Sequence, residues 1–405
     1  MTTTTSDSPP APVQATVFPI LFAIGFCHAL NDMMQSLLQA IYPNLQKTFD
    51  LDFAHIGLIT FVYQITASLL QPLVGHYTDR RAVPYALPIG MVFTFIGLIL
   101  LAIAPNYPLL LAAAMIVGIG SSTFHPESSR VAHAAAGMRR GLAQSMFQSG
   151  GSIGGALGPL LAAVVVGTSQ RTGIAWFSVA ALLAIVILWR VGTWYRDHGL
   201  ARAKHAIARA ATSTLSPAKV RVSLAILVIL IFSKFVYLAS LSSYFTFYLI
   251  HKFHISVPSA QVHLFIFLAA VAVGTICGGP LGDRFGRKHI IWFSILGALP
   301  FTLAMPFANL FWTSVLSVGA GLVLSSAFPA MVVYGQELLP GRVGMISGLF
   351  FGLSFGMGGL GAAVLGVLAD RTSIDFVYSV CAFLPAFGLL AVFLPDLRRP
   401  AQSSA

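Results

Sequence analysis

Gly279-Pro-Leu-Gly-Asp283-Arg284-Phe-Gly286-Arg287-Lys288 is a stretch the chain carries twice: a worn copy, Gly75-His-Tyr-Thr-Asp79-Arg80-Arg81, lies about 204 residues upstream. Two further pairs follow in the same order at nearly the same offset. Ser121-Ser122-Thr-Phe124 meets Ser325-Ser326-Ala-Phe328, and Gly141-Leu-Ala-Gln-Ser-Met-Phe147 meets Gly344-Met-Ile-Ser-Gly-Leu-Phe350. Matches at one long period mean that the chain is built from two copies of one unit. In each copy the glycines permit a tight turn, while Asp and Arg can join neighbouring helix ends by charge-assisted hydrogen bonds. Gly75, Asp79, Arg80, Gly279, Asp283, Arg284, Gly286, Arg287 and Lys288 therefore read as conformational, gating groups and not as ligands.

Around these repeats the chain is apolar. Of its 405 residues 57% are hydrophobic and 9% charged, with a mean hydropathy of +0.84. Ordinary soluble domains are roughly 25% charged, so this chain cannot cover its surface in water. A soluble enzyme, a nucleic-acid binder and a secreted disulfide scaffold are all excluded. Cys27, Cys277 and Cys381 fall in apolar stretches without metal or redox spacing, so no disulfide is expected.

A bilayer is crossed by about 20 apolar helical residues. Cuts at charged or Gly/Pro-containing breaks leave twelve such segments: 17–43, 54–77, 84–104, 108–133, 142–167, 173–192, 221–250, 261–281, 289–306, 309–335, 344–368 and 376–395. The expected fold is an all-α membrane protein of twelve transmembrane helices in two six-helix repeats. Its parts are a disordered tail (1–16), an N-terminal bundle (17–192), a basic cytoplasmic linker (193–219), a C-terminal bundle (220–397) and a short tail (398–405). The first residues lack Lys and Arg, so they do not read as a signal peptide. Of the 23 basic residues, 17 fall on one side of the twelve spans, counting the linker and the C-terminus, and four on the other. That bias puts both termini in the cytoplasm. The net charge of +11 is then topology, and neither nucleic acid nor an acidic partner is needed. The linker reads as a tether that includes a basic surface helix on the anionic leaflet, in preference to a bare tether.

The loop from Gly279 to Lys288 resembles the G-x-L-x-D-R-x-G-R-K signature of the major facilitator superfamily, although its first-half copy lacks the later glycine and basic pair. Phe124-His125-Pro126-Glu127-Ser128-Ser129-Arg130-Val131-Ala132 and His28-Ala-Leu-Asn31-Asp32-Met-Met-Gln35-Ser-Leu-Leu are more selective. With Gln71-Pro72, Gly141 to Gln148 and Gly158-Pro159, they resemble the fosmidomycin resistance family of bacterial drug exporters. The resemblance implies an inner-membrane proton antiporter exporting fosmidomycin, a small hydrophilic phosphonate, with other drugs as further cargo.

Among the twelve acidic residues, Asp32 and Glu127 are embedded in predicted helices. An ionised group at a helix centre costs about 2.5–3.5 kcal/mol on insertion scales, so such residues mark pathways and proton relays. His28 precedes Asp32 by one turn, and Gln35 and Gln39 continue that face. An imidazole one turn from a carboxylate is a proton-exchange pair, which makes Asp32 the first candidate carrier. The other reading is a permanently ionised Asp32 tying its helix to a neighbour. Glu127 can pair with Arg130 three residues on. Pro126 removes an N–H beside that pair, which suits an inner gate as well as a binding site. His125 is a further proton candidate.

Lys234 is embedded in the seventh helix and answers to His28 at an offset of about 206. It either pairs with Asp32 or meets an anionic substrate. Arg130 can do the latter, and its planar fork suits a phosphonate. Asn31, Gln35, Gln64 and Gln148 are candidates for cargo hydrogen bonds, whereas Gln71 and Gln144 read as packing. Embedded charges balance, and His28 and His125 tip the interior positive, favouring anionic or zwitterionic cargo. Gly150-x3-Gly154-x3-Gly158-Pro159 is a small-residue stripe for close helix packing. It resembles the exporters' antiporter motif, except that Ala162 and Ala163 replace the terminal glycine pair. Tyr244-Phe-Thr-Phe-Tyr248 reads as lipid or core packing.

These features describe a transporter in which two bundles rock about a central site. The proton gradient is the energy source, no cofactor or metal is expected, and a monomer suffices. Within transport the alternative is a proton-coupled importer of an organic anion or sugar. An embedded enzyme needs a compact catalytic cluster, and Asp32 with His28 has no companion in the sequence. A sensor needs an output domain that the linker is too short to be.

Overall fold

The computed structural model describes residues 15–51, 53–203 and 215–397. The expected tails and residues 204–214 of the expected linker lie outside the described residues, apart from 15–16. All regular elements described are helices. The first half comprises α1 (Phe18–Ala40), α2 (Tyr42–Phe49), α3 (Phe53–Arg80), α4 (Ala86–Ile103), α5 (Tyr107–Ala135), α6 (Arg140–Ser169) and α7 (Phe177–Trp194). The second comprises α8 (Pro217–Phe253), α9 (Val257–Phe285), α10 (Arg287–Leu296), α11 (Leu299–Ala304), α12 (Leu310–Ser325), α13 (Ala327–Leu338), α14 (Val343–Arg371) and α15 (Ile374–Cys381), with a 3-10 stretch over Leu384–Phe393.

Among the described residues, ten of the expected twelve spans are long and apolar enough to cross a membrane by length and composition alone. Of the other two, α1 has its apolar character diluted by His28, Asn31, Asp32 and Gln35, and α6 runs in part outside the residues whose side chains are described. Three spans are interrupted. α10 gives way to α11 around Gly297 and Pro300, α12 to α13 at Ser326 ahead of Pro329, and α15 to the 3-10 stretch around Pro385. Each proline removes an N–H and so breaks the i−4 ladder. The sixth span continues past the boundary expected at 192. A π turn over Tyr195–Gly199 carries it on to Ala203, with Tyr195 buried against the bundle.

The halves meet along α3 with α14 and α6 with α9. Glycine sets how closely. A Cβ built on Gly75 would lie 2.1 Å from the Gly344 carbonyl oxygen, and one on Gly141 would lie 2.2 Å from that of Gly279. Gly75 and Gly279 are thus helix-crossing points and not turn residues. Of the three signature glycines, Gly286 alone makes the turn, with φ of 94°. Beside the crossings each signature aspartate caps a helix of the other half. Asp79 accepts from the backbone N–H groups of Gly344 and Met345 at 2.9 and 2.8 Å. Asp283 accepts from those of Gly141 and Leu142 at 2.9 and 3.0 Å. The first turns of α14 and α6 carry unpaired N–H groups and the positive dipole end, which is what a carboxylate satisfies.

The expected basic partners are corrected. Arg80 and Arg284 are exposed, because adjacent residues on a helix point about 100° apart. Arg130 reaches Asp79 at 2.8 Å, and Arg287, one turn beyond Asp283, reaches it at 3.1 Å. Lys288 donates to the Val392 carbonyl at 2.9 Å. Within the first half α6 lies against α1 through its glycine stripe: added Cβ atoms on Gly150 and Gly154 would fall 1.9 and 2.0 Å from the carbonyl oxygens of Gly25 and Ala29, and one on Gly158 1.9 Å from Ser36 Oγ. The side chain of Pro159 lies outside the described residues.

Hydrogen bonds to a charged group contribute about 1.5–3 kcal/mol each. Asp79→Ala should therefore loosen this face by several kcal/mol. With Cys27, Cys277 and Cys381 replaced by Ser, a reporter Ser347→Cys, at a position wholly buried behind the contact, should gain reactivity towards a water-soluble maleimide. An unchanged labelling rate would show that the aspartate caps do not hold the halves together.

Candidate functional site: a central cavity between the halves

A cavity of about 360 Å³ lies between the bundles, with His28, Asp32, Gln148 and Ser152 on the first-half wall and Lys234 and Phe328 among the groups opposite. On the first-half wall α1 and α5 bring three titratable groups together. His28 Nε2 lies 3.2 Å from Asp32 Oδ2, and His125 Nε2 lies 3.5 Å from Asp32 Oδ1. The rings are fixed from behind. His28 Nδ1 is 2.6 Å from the Phe147 carbonyl, with its ring stacked on that of Phe147, and His125 Nδ1 is 3.1 Å from the Ser121 carbonyl. A carbonyl only accepts, so each Nδ1 carries the ring proton and donates it. Both Nε2 atoms are left facing one carboxylate, and a proton in either gap completes a bridge. Sequence reading named all three as proton candidates but did not place His125, nearly a hundred residues away, beside His28 and Asp32. Asn31 donates to Asp32 Oδ1 at 3.0 Å and is wholly buried.

Across the cavity Lys234 is buried, its Nζ 3.4 Å from the Ser325 carbonyl and 4.9 and 5.0 Å from the ring centres of Phe235 and Phe328. Pro329 explains the contact, because it lacks the N–H that would otherwise bond the Ser325 carbonyl one turn earlier. Among the described residues Lys234 has no carboxylate within ion-pair distance, so the pair with Asp32 is not formed; the two face one cavity from opposite halves. An ammonium held by one carbonyl and two ring faces has donors left for an anion.

Other expected ligands lie elsewhere. Arg130 does not line the cavity. It donates to Glu127 at 3.2 Å, Thr78 at 2.6 Å and the Gly75 carbonyl at 3.2 Å, besides Asp79, so Glu127 and Arg130 belong to the contact between halves. Gln35 accepts from the Tyr63 hydroxyl at 2.6 Å, and Gln64 reaches Ser68 at 3.5 Å; neither borders the cavity. Gln148 does, and its buried Nε2 has no hydrogen-bond partner among the described residues.

Sequence reading missed a knot of uncharged groups beneath the cavity. Gln336 on α13 donates to Ser129 at 3.1 Å and Ser347 at 2.9 Å, and its oxygen accepts from His133 Nδ1 at 3.1 Å. Ser129 in turn donates to Gln144 at 2.9 Å. Glu337 next along α13 binds Arg140 of the other half at 3.1 Å and Arg287 of its own at 3.2 Å. A search for embedded charge passes over such groups. The available signal was Gln336, an amide in an otherwise apolar run.

Comparison with known proteins agrees with this architecture. The family model of the Major Facilitator Superfamily matches residues 24–256 and 230–405. The Fosmidomycin resistance protein of Escherichia coli (strain K12) is 57% identical over 384 residues, covering 95% of this chain and 94% of that one. The uncharacterized MFS-type transporter YfnC of Bacillus subtilis (strain 168) is 42% identical, with 94% of each chain covered. Among solved structures, the E. coli fucose:proton symporter FucP superposes with a TM-score of 0.72 at 15% identity, over 94% of this chain and 98% of that one. The proton:xylose symporter XylE gives a TM-score of 0.73 at 16% identity, over 94% and 96%. Identities so low speak for the fold alone.

Gln336→Leu would strip the knot of its central amide and leave buried hydroxyls unpaired, at about 1–3 kcal/mol each. The detergent-solubilised protein should melt several degrees lower. An unchanged melting temperature would mean that water or a neighbouring group satisfies Ser129 and Ser347 as well as Gln336 does.

Proposed function

Since this chain belongs to the Major Facilitator Superfamily, we propose that it is a secondary transporter of the bacterial inner membrane that exports a fosmidomycin-like phosphonate in exchange for protons. The identity with the E. coli Fosmidomycin resistance protein supports the cargo. The observation that carries the mechanism is the division of labour across the cavity, with a lone ammonium on one half and a carboxylate between two imidazoles on the other.

A phosphonate head would sit on Lys234, and a donor group at the other end of the cargo would bond Asp32. A proton on Asp32 removes its negative charge and turns one of its oxygens into a donor, so proton and cargo compete for one carboxylate, which exchange requires. The state described here has its halves joined at the face bearing the chain's first residues, where Val17 N–H bonds the Ala135 carbonyl at 2.9 Å. The excess of Lys and Arg on that side supports a cytoplasmic placement, in which this is the outward-facing state. In it protons load the array and displace cargo outward. Parting of the Asp79 and Asp283 contacts then opens the cytoplasmic side, where the protons leave and new cargo binds. Binding moves the cycle only by stabilising one state over the other. The Tyr63 hydroxyl holds Gln35, and Asn31 holds Asp32; both are positioning groups. Glu127 and Arg130 belong to the cytoplasmic gate. Neither metal nor cofactor is part of this cycle, and one chain contains the whole site.

Everted vesicles with an acidic interior test the reading. Wild-type protein should take up the phosphonate in a protonophore-sensitive manner, and Asp32→Asn should lose coupled uptake. Lys234→Gln should raise the apparent KM by about 10–100-fold, the loss expected for a charged hydrogen bond. Wild-type uptake no greater than that of empty vesicles would dismiss the phosphonate as cargo. Normal coupling in Asp32→Asn would remove the proton role from that residue.

A further inference from the structure

The geometry points to a binding site for a divalent transition-metal ion at His28, Asp32 and His125, where the ion competes with protons for the same three side chains. This inference rests on the geometry of the array and not on the identity of the cargo.

Five observations converge. The ligand atoms offered by the three residues all lie within 4.8 Å of one another. The two nitrogen–oxygen separations, 3.2 Å to Oδ2 and 3.5 Å to Oδ1, run to the two oxygens of one carboxylate and lie close to the spacing of about 3.3–3.4 Å between donors that sit roughly 2.0–2.1 Å from a tetrahedral zinc ion. The outer shell is in place: both Nδ1 atoms donate to backbone carbonyls, and the Asn31 amide donates to the carboxylate, which is how metal-binding imidazoles and carboxylates are oriented. Both Nε2 atoms are buried without a hydrogen-bond partner among the described residues, so their lone pairs converge on the carboxylate.

The fifth observation is space. A Cβ on Gly151 would stand 2.6 Å from Asp32 Oδ2 and 2.6 Å from His28 Nε2. The bare α-carbon of Gly151 therefore keeps the cavity side of the array open, where a water or a cargo oxygen would supply the fourth ligand. Three protein ligands with one open position is the arrangement of zinc sites that accept an external ligand. Two imidazoles select zinc and its late first-row neighbours over magnesium and calcium, which prefer oxygen. The ion needs the ligands unprotonated, so binding expels whatever protons the array holds. It would also bolt α1 to α5 and arrest exchange.

The test is calorimetric titration of zinc chloride into the detergent-solubilised full chain near neutral pH, in buffers of different ionisation enthalpy and without cargo. Expected are one tight site per chain and net proton release. Asp32→Asn and His125→Gln should each weaken binding by roughly 100-fold or more. Gly151→Ala, which keeps all three ligands, should weaken it as well. His251→Gln, at the exposed His251–Asp375 pair, should leave it unchanged. X-ray absorption on the wild-type zinc complex needs no variant and should show two imidazoles and an oxygen donor. The proposal is overturned by the lack of a tight site, by affinity indifferent to Asp32→Asn and His125→Gln, by loss of the site in His251→Gln, or by a first shell with fewer than two imidazoles. Since no cargo is present, a failure of phosphonate exchange would leave these outcomes readable.

Discussion

Two carboxylates capping helices that belong to the other half are the contact on which the rest of this structure depends. Asp79 holds the first turn of α14, and Asp283 holds the first turn of α6. Each supplies a negative charge where a helix presents unpaired N–H groups and the positive end of its dipole. Glycines at the crossings let backbone meet backbone, so the aspartates reach their targets without intervening side chains. Once those crossings are fixed, α6 lies against α1 and α9, α3 against α14, and the cavity is bounded.

The polar interior follows from the same rule of satisfaction. Burying an unpaired polar group costs more than burying a paired one gains. Thus the imidazoles lean on backbone carbonyls, Asn31 leans on Asp32, and the amide of Gln336 ties serines from both halves. Lys234 and Gln148, which border the cavity, depart from it: each has hydrogen-bonding capacity unused by the described residues. Such departures are where a ligand belongs.

Much of the fold was legible because its causes are local or repetitive. Twelve apolar runs, a copied glycine–aspartate loop and the uneven spread of Lys and Arg need no knowledge of contacts. Asp32, His28 and Lys234 were legible because a charge in a membrane interior demands a reason. What sequence reading misplaced was tertiary partnership. It gave Arg80 a share with Asp79 in joining helix ends, yet neighbours on a helix diverge and the distant Arg130 reaches Asp79 instead. It left Arg130 available to cargo because nothing in the sequence puts Asp79, Thr78 and Glu127 around one guanidinium. His125 joined the array, and Gln336 the knot, through helix packing that no periodicity encodes.

The ion pairs flanking the two caps divide unevenly between the halves. Asp79 keeps Arg130 and Glu127, all in the first half, and Asp283 keeps Arg287 and through it Glu337, all in the second. Among the described residues Arg140 alone forms an ion pair across the divide. When the halves separate, each aspartate departs with an arginine still beside it, shared with one glutamate, and water can take over the vacated N–H groups of α6 and α14. No bare carboxylate is stranded, so the open and closed forms need differ by only a few kcal/mol, within reach of one proton or one small anion to reverse. The fastening is therefore one that a single passenger can undo.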